Sequence, residues 1–533
     1  MNKKINKLYS GAVIHTLRSE GETFSYMGES DGIISYLSDE RPDDGDFRRE
    51  IKLDELHVFP SFTDAHLHLL NSIVLAASGF DACEIRDGGV VPNTINFVGA
   101  RLREHCSSHG ADDIVVANNY IASAIAEKRL PTREELDEWG DGRRTVVYSI
   151  DGHSSSLSTS MLKALGVDPQ GHTGVLTGAD HEFLQGRVRD VIAASIGVRD
   201  IARGAASFIN QCAHYGITRV CALEGNGDSP KDSLTKLLAV IAQRMDIDVW
   251  FYPQYIDIEK ARPLWKKMRQ PRIGGCGDWE VDGAVGSHSA AFYSPYIDTG
   301  EIAGCYYSQD EMDEAVRRAD AEGCQISSHA IGEAAIDRIL ESFEKLGSKE
   351  LHRIEHFEFP TDEAVDKLIA NGNIALSVQP GFAWIDERYL KSYESYLPQV
   401  IVTRQVPLKR IYDAGIALCA TSDSPIQSLD PFIQILGMVD FSVPGQSLSN
   451  FEALRCYTVN PARVLGQDLK FGVLEIGKEA SFFATETDLM AAGPDALSGA
   501  HAVHTFIRGK KLGGKKGTLL EFLHMMLRRP RKI

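Results

Sequence analysis

A chain of 533 residues that is 43% hydrophobic and 24% charged can bury a large core and is long for one compact unit, so one large domain plus a smaller one is expected. Its formal net charge of −18 and sequence pI near 5.4 argue against nucleic-acid and anionic-membrane partners, whose surfaces require a basic footprint. No stretch reaches the ~18 apolar residues of a membrane span and no apolar segment follows the first lysines, which predicts a soluble cytoplasmic protein.

Residues 1–58 alternate in the manner of short strands with tight turns, as in Gly11 to Leu17 and in Ile33 to Leu37 after the Asp31-Gly32 turn. They read as the first part of a β-sandwich. A strand from Val58 to His68 follows, ending in Asp64-Ala65-His66-Leu67-His68, and its period of two puts both imidazoles on one face. The region within about 80–190, rich in Gly, Asp and Ser, reads as an insertion over an active-site mouth, where substrate choice would reside. Gly274-Gly275-Cys276-Gly277 is expected to be a flexible lead into a strand. The nine cysteines are scattered without a CxxC pair and read as reduced core residues.

From Ser308 the rhythm is clear. Ser308-Gln309-Asp310-Glu311 is a capping box opening a helix that stops at Gly323. Strand Gln325–His329, helix Ala334–Leu346, strand Leu351–His356, helix Thr361–Ala370 and strand Asn373–Val378 come next, and a later strand, Ile416–Ala420, ends at Thr421-Ser422-Asp423. Repeated βα units imply parallel strands, and the expected fold is α/β: a (β/α)8 TIM-type barrel over 59–463. Strand patterns return in Gly472–Gly477, Ala480–Ala484 and Val503–Ile507, so 464–515 is expected to complete a small β-sandwich assembled from both chain ends. Residues 516–533 read as a basic tail whose run Arg528–Lys532 is solvated and frayed.

His66, His68, His329, His356 and Asp423 all fall where a strand ends and a loop begins. In a barrel those ends converge on one rim, whereas an open doubly wound sheet would not gather them. Imidazole is the commonest protein ligand of zinc, and a carboxylate at the same rim can both ligate an ion and accept a proton, so Asp423 is also the candidate catalytic base. Such an ion lowers the pKa of its water from ~15.7 to roughly 7. Glu280 could reach a metal or contact substrate; Trp279, Trp384 and Tyr252 are expected to pack in the core.

The runs Pro60 to His68, Asp282 to Ala290, His329-Ala330-Ile331-Gly332-Glu333, Arg353-Ile354-Glu355-His356 and Thr421-Ser422-Asp423-Ser424-Pro425 resemble, in order and spacing, the signatures of the amidohydrolase family that includes N-substituted formamide deformylase. So do Asp151-Gly152-His153-Ser154, Tyr457 to Ala462 and Gly472 to Lys478. The resemblance implies the barrel, the two-ended sandwich, a divalent metal at the strand ends and hydrolysis of a non-peptide carbon–nitrogen bond in an amide, N-formyl, N-acyl or cyclic amide substrate. By family position His153, His288 and Glu333 are candidate substrate contacts, and the partner is a small molecule. Ser61, Ser158 and Ala480-Ser481 depart from the family pattern without removing a ligand. A larger departure is Asp278, which stands where many members carry a lysine whose carboxylated form bridges two metals. One ion, zinc in type, is therefore expected rather than two. A deaminase of heterocyclic amines is the alternative, although those enzymes set a glutamate three residues after the strand-five histidine and Glu333 lies four after His329. A non-catalytic scaffold is a third reading, and it would be expected to have eroded the ligands. A homodimer is compatible with the sequence.

Overall fold

The strand expected to run unbroken from Val58 to His68 is divided at Ser61 in the structure, a computed structural model that describes residues 5–86, 89–107, 110, 113–225, 227 and 232–533. His57–Pro60 pairs antiparallel with Phe482–Thr485, whereas β1 (Phe62–Leu67) pairs parallel with β2 (Ile217–Glu224). Proline cannot donate to a ladder, so Pro60 closes one sheet. Ser61 then bridges the two: its amide donates to the Ser481 carbonyl at 3.1 Å and its hydroxyl shares a hydrogen bond with Thr218 at 2.7 Å.

Two parallel sheets carry the middle of the chain. One has the order β1, β2, β3 (Asp248–Pro253). The other runs β4 (Arg272–Glu280), β5 (Gln325–Ala330), β6 (His352–His356), β7 (Ile374–Val378), β8 (Leu418–Ala420). Hydrogen bonds join them at both margins, from Asp278 N to Gln254 O at 3.3 Å and, on the other side, from Asp423 N to His66 O at 2.9 Å and His68 N to Ser424 O at 2.8 Å. Nearly every residue of these strands is buried, as expected of parallel strands covered on both faces. The main helices alternate with them, among them α1 (Leu69–Ser78), directly after His68, and α2 (Val198–His214) packed against it.

The Gly274–Gly277 run is not a flexible lead into a strand; it lies within β4, with Gly274, Gly275 and Cys276 buried. Gly274 and Gly275 have φ of 100° and 110°, and a Cβ on Gly274 would come within 1.9 Å of the Ser327 carbonyl oxygen. Only glycine allows β4 and β5 to approach so closely here.

Between α1 and α2 the chain forms a separate five-stranded sheet, ordered Val175–Thr177, Ser154–Leu157, Thr145–Ser149, Val115–Tyr120, Phe80–Asp81, with apolar cores of its own. The helix Gly178–Ser195 leads from it back toward the parallel strands. Both chain ends contribute to a six-stranded sheet, in which Phe482–Thr485 and His504–Ile507 lie beside His57–Pro60 and Val13–His15. A four-stranded sheet from residues 5–52 shares its apolar core, where the Tyr9 ring meets Phe482 edge-on at 4.8 Å.

Two expectations fail locally. Gly472–Gly477 is irregular rather than a strand, because Gly472 and Gly477 adopt φ of 104° and 94°; its amides instead reach the carbonyls of Thr16 and Ile34. The basic tail is not frayed. It continues from a helix, Leu519–Met526, and Arg531 donates to the buried Asp248 carboxylate at 2.7 Å while Ile533 is 1% exposed. Buried Asp248 and half-buried Asp246 hold it down. All nine cysteines are free thiols, and among the described residues no helix is long and apolar enough to cross a membrane.

Candidate metal centre

The ends of β1, β5 and β6 and the loop after β8 bring His66, His68, His329, His356 and Asp423 together. His66 lies on β1 and His68 just beyond it. His356 and Asp423 have φ of 70° and 57°, a left-handed backbone that L residues rarely adopt and that clusters at functional positions.

Each imidazole has one nitrogen tied to a protein acceptor. His66 donates from Nδ1 to Glu355 Oε2 at 2.7 Å, and His68 from Nδ1 to the Leu223 carbonyl at 3.2 Å. His356 donates from Nδ1 to Gln379 Oε1 at 2.8 Å, and His329 from Nε2 to the Gly283 carbonyl at 3.2 Å. Those acceptors fix the tautomers, leaving Nε2 of His66, His68 and His356 and Nδ1 of His329 with a free lone pair. Outer hydrogen bonds of this kind orient metal-ligating histidines. His356 Nε2 is buried with no hydrogen-bond partner, an arrangement that costs free energy unless an ion or another group meets the lone pair.

The spacing between these atoms fits a shared ion. With metal–nitrogen and metal–oxygen bonds of ~2.1 Å, two ligands of one tetrahedral ion stand about 3.4 Å apart; a sulfur and a nitrogen stand about 3.6 Å apart. Asp423 Oδ1 lies 3.1 Å from His66 Nε2 and 3.2 Å from His68 Nε2. Cys276 Sγ lies 3.6 Å from His66 Nε2 and 3.9 Å from His329 Nδ1.

Electrostatics agree with this arrangement for Glu355, His329 and His356, whereas the Asp423 charge, against burial, raises His66 well above the usual imidazole range. Burial alone would raise the carboxyl of Glu355, but Arg353 at 2.7 Å and the hydrogen bond from His66 hold it down at about 2, so it stays an acceptor. Burial pushes His356 down to about 4 and His329 well below the usual imidazole range, which keeps both in the neutral, ligating form. Against the effect of burial, His66 and His68 hold the Asp423 carboxyl well below its ordinary value.

A second polar group adjoins the first. His153 Nδ1 pairs with Glu182 at 2.9 Å, the His153 ring lies 5.2 Å from that of His329, and Glu280 completes the cluster. Burial would lower His153, yet Glu182 raises it to about 10, while His153 draws Glu182 down to about 2 against burial. Burial and the Glu182 charge push Glu280 well above the carboxylate range, and Glu280 Oε2 has no hydrogen-bond partner. Glu280 thus groups with His153 and Glu182 rather than with the rim histidines. Members of both clusters line one cavity together with apolar side chains including Ile73, Val74, Ile192, Leu238 and Ile241.

Other expected positions lie elsewhere. His288 donates from Nε2 to the Asp298 carboxylate at 2.8 Å with its ring against Tyr396, and buried Glu333, at the first turn of helix Glu333–Leu346, pairs with Arg404; neither lines the cavity. Asp278 turns away as well, accepting from the amides of Gly227 at 2.9 Å and Ile256 at 3.1 Å. Trp279 and Tyr252 are fully buried in the core, and Trp384 stacks under Arg388. The residue that sequence reasoning missed at the centre is Cys276. Its signal was its place on the same strand two residues before Asp278, hidden by the reading of the glycines around it as a flexible lead.

Residues 49–512 match the model of a family described as the Amidohydrolase family. Among curated proteins, the chain is 22% identical to a putative amidohydrolase, YtcJ, of Bacillus subtilis (strain 168), over 94% of this chain and 98% of that one. It is 24% identical to an N-substituted formamide deformylase of Arthrobacter pascens, over 85% of this chain and 87% of the relative. Among solved structures, an uncharacterized metal-dependent hydrolase from Pyrococcus horikoshii OT3 has a similar fold, with a TM-score of 0.70 and 21% identity over 93% of this chain and 99% of that one.

Proposed function

The chain belongs to the amidohydrolase family, and from that premise we propose that it is a metal-dependent hydrolase of a non-peptide carbon–nitrogen bond in a small amide, N-formyl, N-acyl or cyclic amide substrate. One observation carries the reading: four imidazoles, each anchored through one nitrogen, turn the other toward a common centre beside Asp423.

In this reading His66, His68, His329, His356 and Asp423 are the protein ligands of a divalent-metal centre, zinc by its nitrogen and oxygen donors. The metal when bound supplies Lewis acidity and a water that ionises near neutral pH. Asp423 accepts the proton of the attacking water at its carboxylate and returns it to the leaving nitrogen. His153, held through Nδ1 by Glu182, offers its Nε2–H to the substrate carbonyl oxygen, where negative charge develops. Glu280, beside His153 in the cavity lining, is a contact for the polar end of the substrate, and the apolar wall receives its organic substituent. Anchorage of His66 by Glu355, and of Glu355 by Arg353, keeps the geometry fixed between turnovers.

Around this site the two parallel sheets, hydrogen-bonded at both margins, form the arcs of one (β/α)8 barrel, and the two terminal sheets form a sandwich beside it. The (β/α)8 arrangement accounts for ligands from distant strands meeting on one rim. The deaminase alternative would call for a glutamate shortly after His329, and Glu333 is engaged by Arg404 outside the cavity; Glu280, paired beside His329 on the neighbouring strand, does line it, so the substrate panel decides between the two readings.

A panel of N-formyl, N-acyl and cyclic amides tests the proposal against aminated heterocycles. Release of amine and acid, or ring opening, is expected; release of ammonia from the heterocycles in their place would make it a deaminase.

A further inference from the structure

The missing bridging lysine leaves open how the two pairs of histidines are joined. His66 and His68 share Asp423 on one side, while His329 and His356 converge on the other. Between them lies Cys276 Sγ, buried at the edge of the cavity, and its separations from His66 Nε2 (3.6 Å) and His329 Nδ1 (3.9 Å) are near the ~3.6 Å that sulfur and nitrogen keep when they ligate one tetrahedral zinc. The sulfur therefore satisfies the edge length toward both pairs. In the group formed by Cys276, His329 and His356 all ligand atoms lie within 4.8 Å of one another, and in that formed by His66, His68 and Cys276 likewise. His356 Nε2, buried without a hydrogen-bond partner, belongs to the same cluster.

We propose that Cys276 is the shared ligand of a two-ion centre, one ion held with His66, His68 and Asp423 and the other with His329 and His356, the thiol replacing the carboxylated lysine. This rests on the metal-dependent hydrolase reading. A thiolate is much shorter than a carboxylated lysine, so its strand must come closer to the centre. Gly274, Gly275 and Gly277, with φ of 100°, 110° and 62°, provide that approach: a Cβ on Gly275 would stand 2.4 Å from the Leu223 side chain, and one on Gly274 would meet the β5 backbone. The pairing of β4 with β5 also shifts register between Gly275 and Glu280, which turns Asp278 outward and Cys276 inward. Binding exchanges the thiol proton, released to solvent, for the two metal–sulfur bonds.

The test is titration of chelator-treated full-length protein with cobalt(II), following the near-ultraviolet thiolate-to-cobalt charge-transfer absorption and, after dialysis, metal content by mass spectrometry. Wild type is expected to retain two ions per chain and to show the absorption; Cys276→Ala should retain at most one and lose it. Cys276→Ser, closest in volume, serves in its place if circular dichroism shows that the alanine variant is unfolded. An unchanged absorption and stoichiometry in the variant would overturn the proposal, as would a wild type that binds cobalt without thiolate absorption or holds a single ion. Those results leave the hydrolase reading standing, whereas a wild type that binds no ion at all removes both.

Discussion

Glu355 does not line the cavity, yet it decides which nitrogen of His66 is free. Arg353, itself buried and donating to the Ala65 carbonyl at 2.8 Å, keeps Glu355 ionised, and the ionised carboxylate can only accept from His66 Nδ1. Glu355→Gln keeps the shape while removing that charge, and metal affinity should fall by about 10- to 100-fold, as measured by competition with a chromogenic chelator. Asp423→Asn should lower turnover by at least ~100-fold while the histidines still retain metal; a variant that hydrolyses at the wild-type rate would remove Asp423 from the proton transfer. That the histidines and Asp423 come together was legible in the sequence because strand-end positions and motif spacing both pointed to it. His288 and Glu333 were inferred from family position alone, and the local partners Asp298 and Arg404 engage them elsewhere.

At the scale of the element, β4 shows where period-two reasoning stops. Positive φ at three glycines breaks the alternation, so Asp278 and Cys276 do not share a face although two residues apart. Gly274→Ala would place a methyl against the Ser327 carbonyl in a backbone region disfavoured for L residues, and a loss of at least about 2 kcal/mol is expected from urea unfolding. Wild-type stability in that variant would mean that β4 does not run so close to β5. The regular units from Ser308 onward were readable, since capping, helix period and strand length agree there: the helix Gln309–Ala321 opens on the Ser308 capping box. The division at Ser61 was not readable, because both halves are apolar strand and only long-range pairing with Phe482–Thr485 and Ile217–Glu224 separates them.

Over the whole molecule, the chain's end is tied to its middle by charge. Buried Asp248 of β3 accepts from Arg508 at 2.6 Å and Arg531 at 2.7 Å, with Arg219 nearby at 3.8 Å. Burial would raise this carboxyl, and the arginines hold it well below its usual value instead. A depressed carboxylate contributes stability that is fully present above its unfolded pKa of about 4 and is lost as pH falls through the folded value. Asp248→Asn should therefore cost about 3 kcal/mol at neutral pH, the low end for a broken buried pair because Arg508 and Arg531 are 32% and 35% exposed. The difference from wild type should stay constant down to about pH 4 and shrink below it. A constant difference throughout would assign the stabilisation to packing. From sequence alone the basic run looked solvated, since the acids that receive it lie more than 250 residues away. The measurement that bears most directly on the proposed chemistry is hydrolysis of the amide panel by one protein preparation before chelation, after it, and after zinc is restored. Loss of hydrolysis with the metal and its return with zinc are expected; hydrolysis undiminished in metal-free protein would contradict a metal-dependent mechanism.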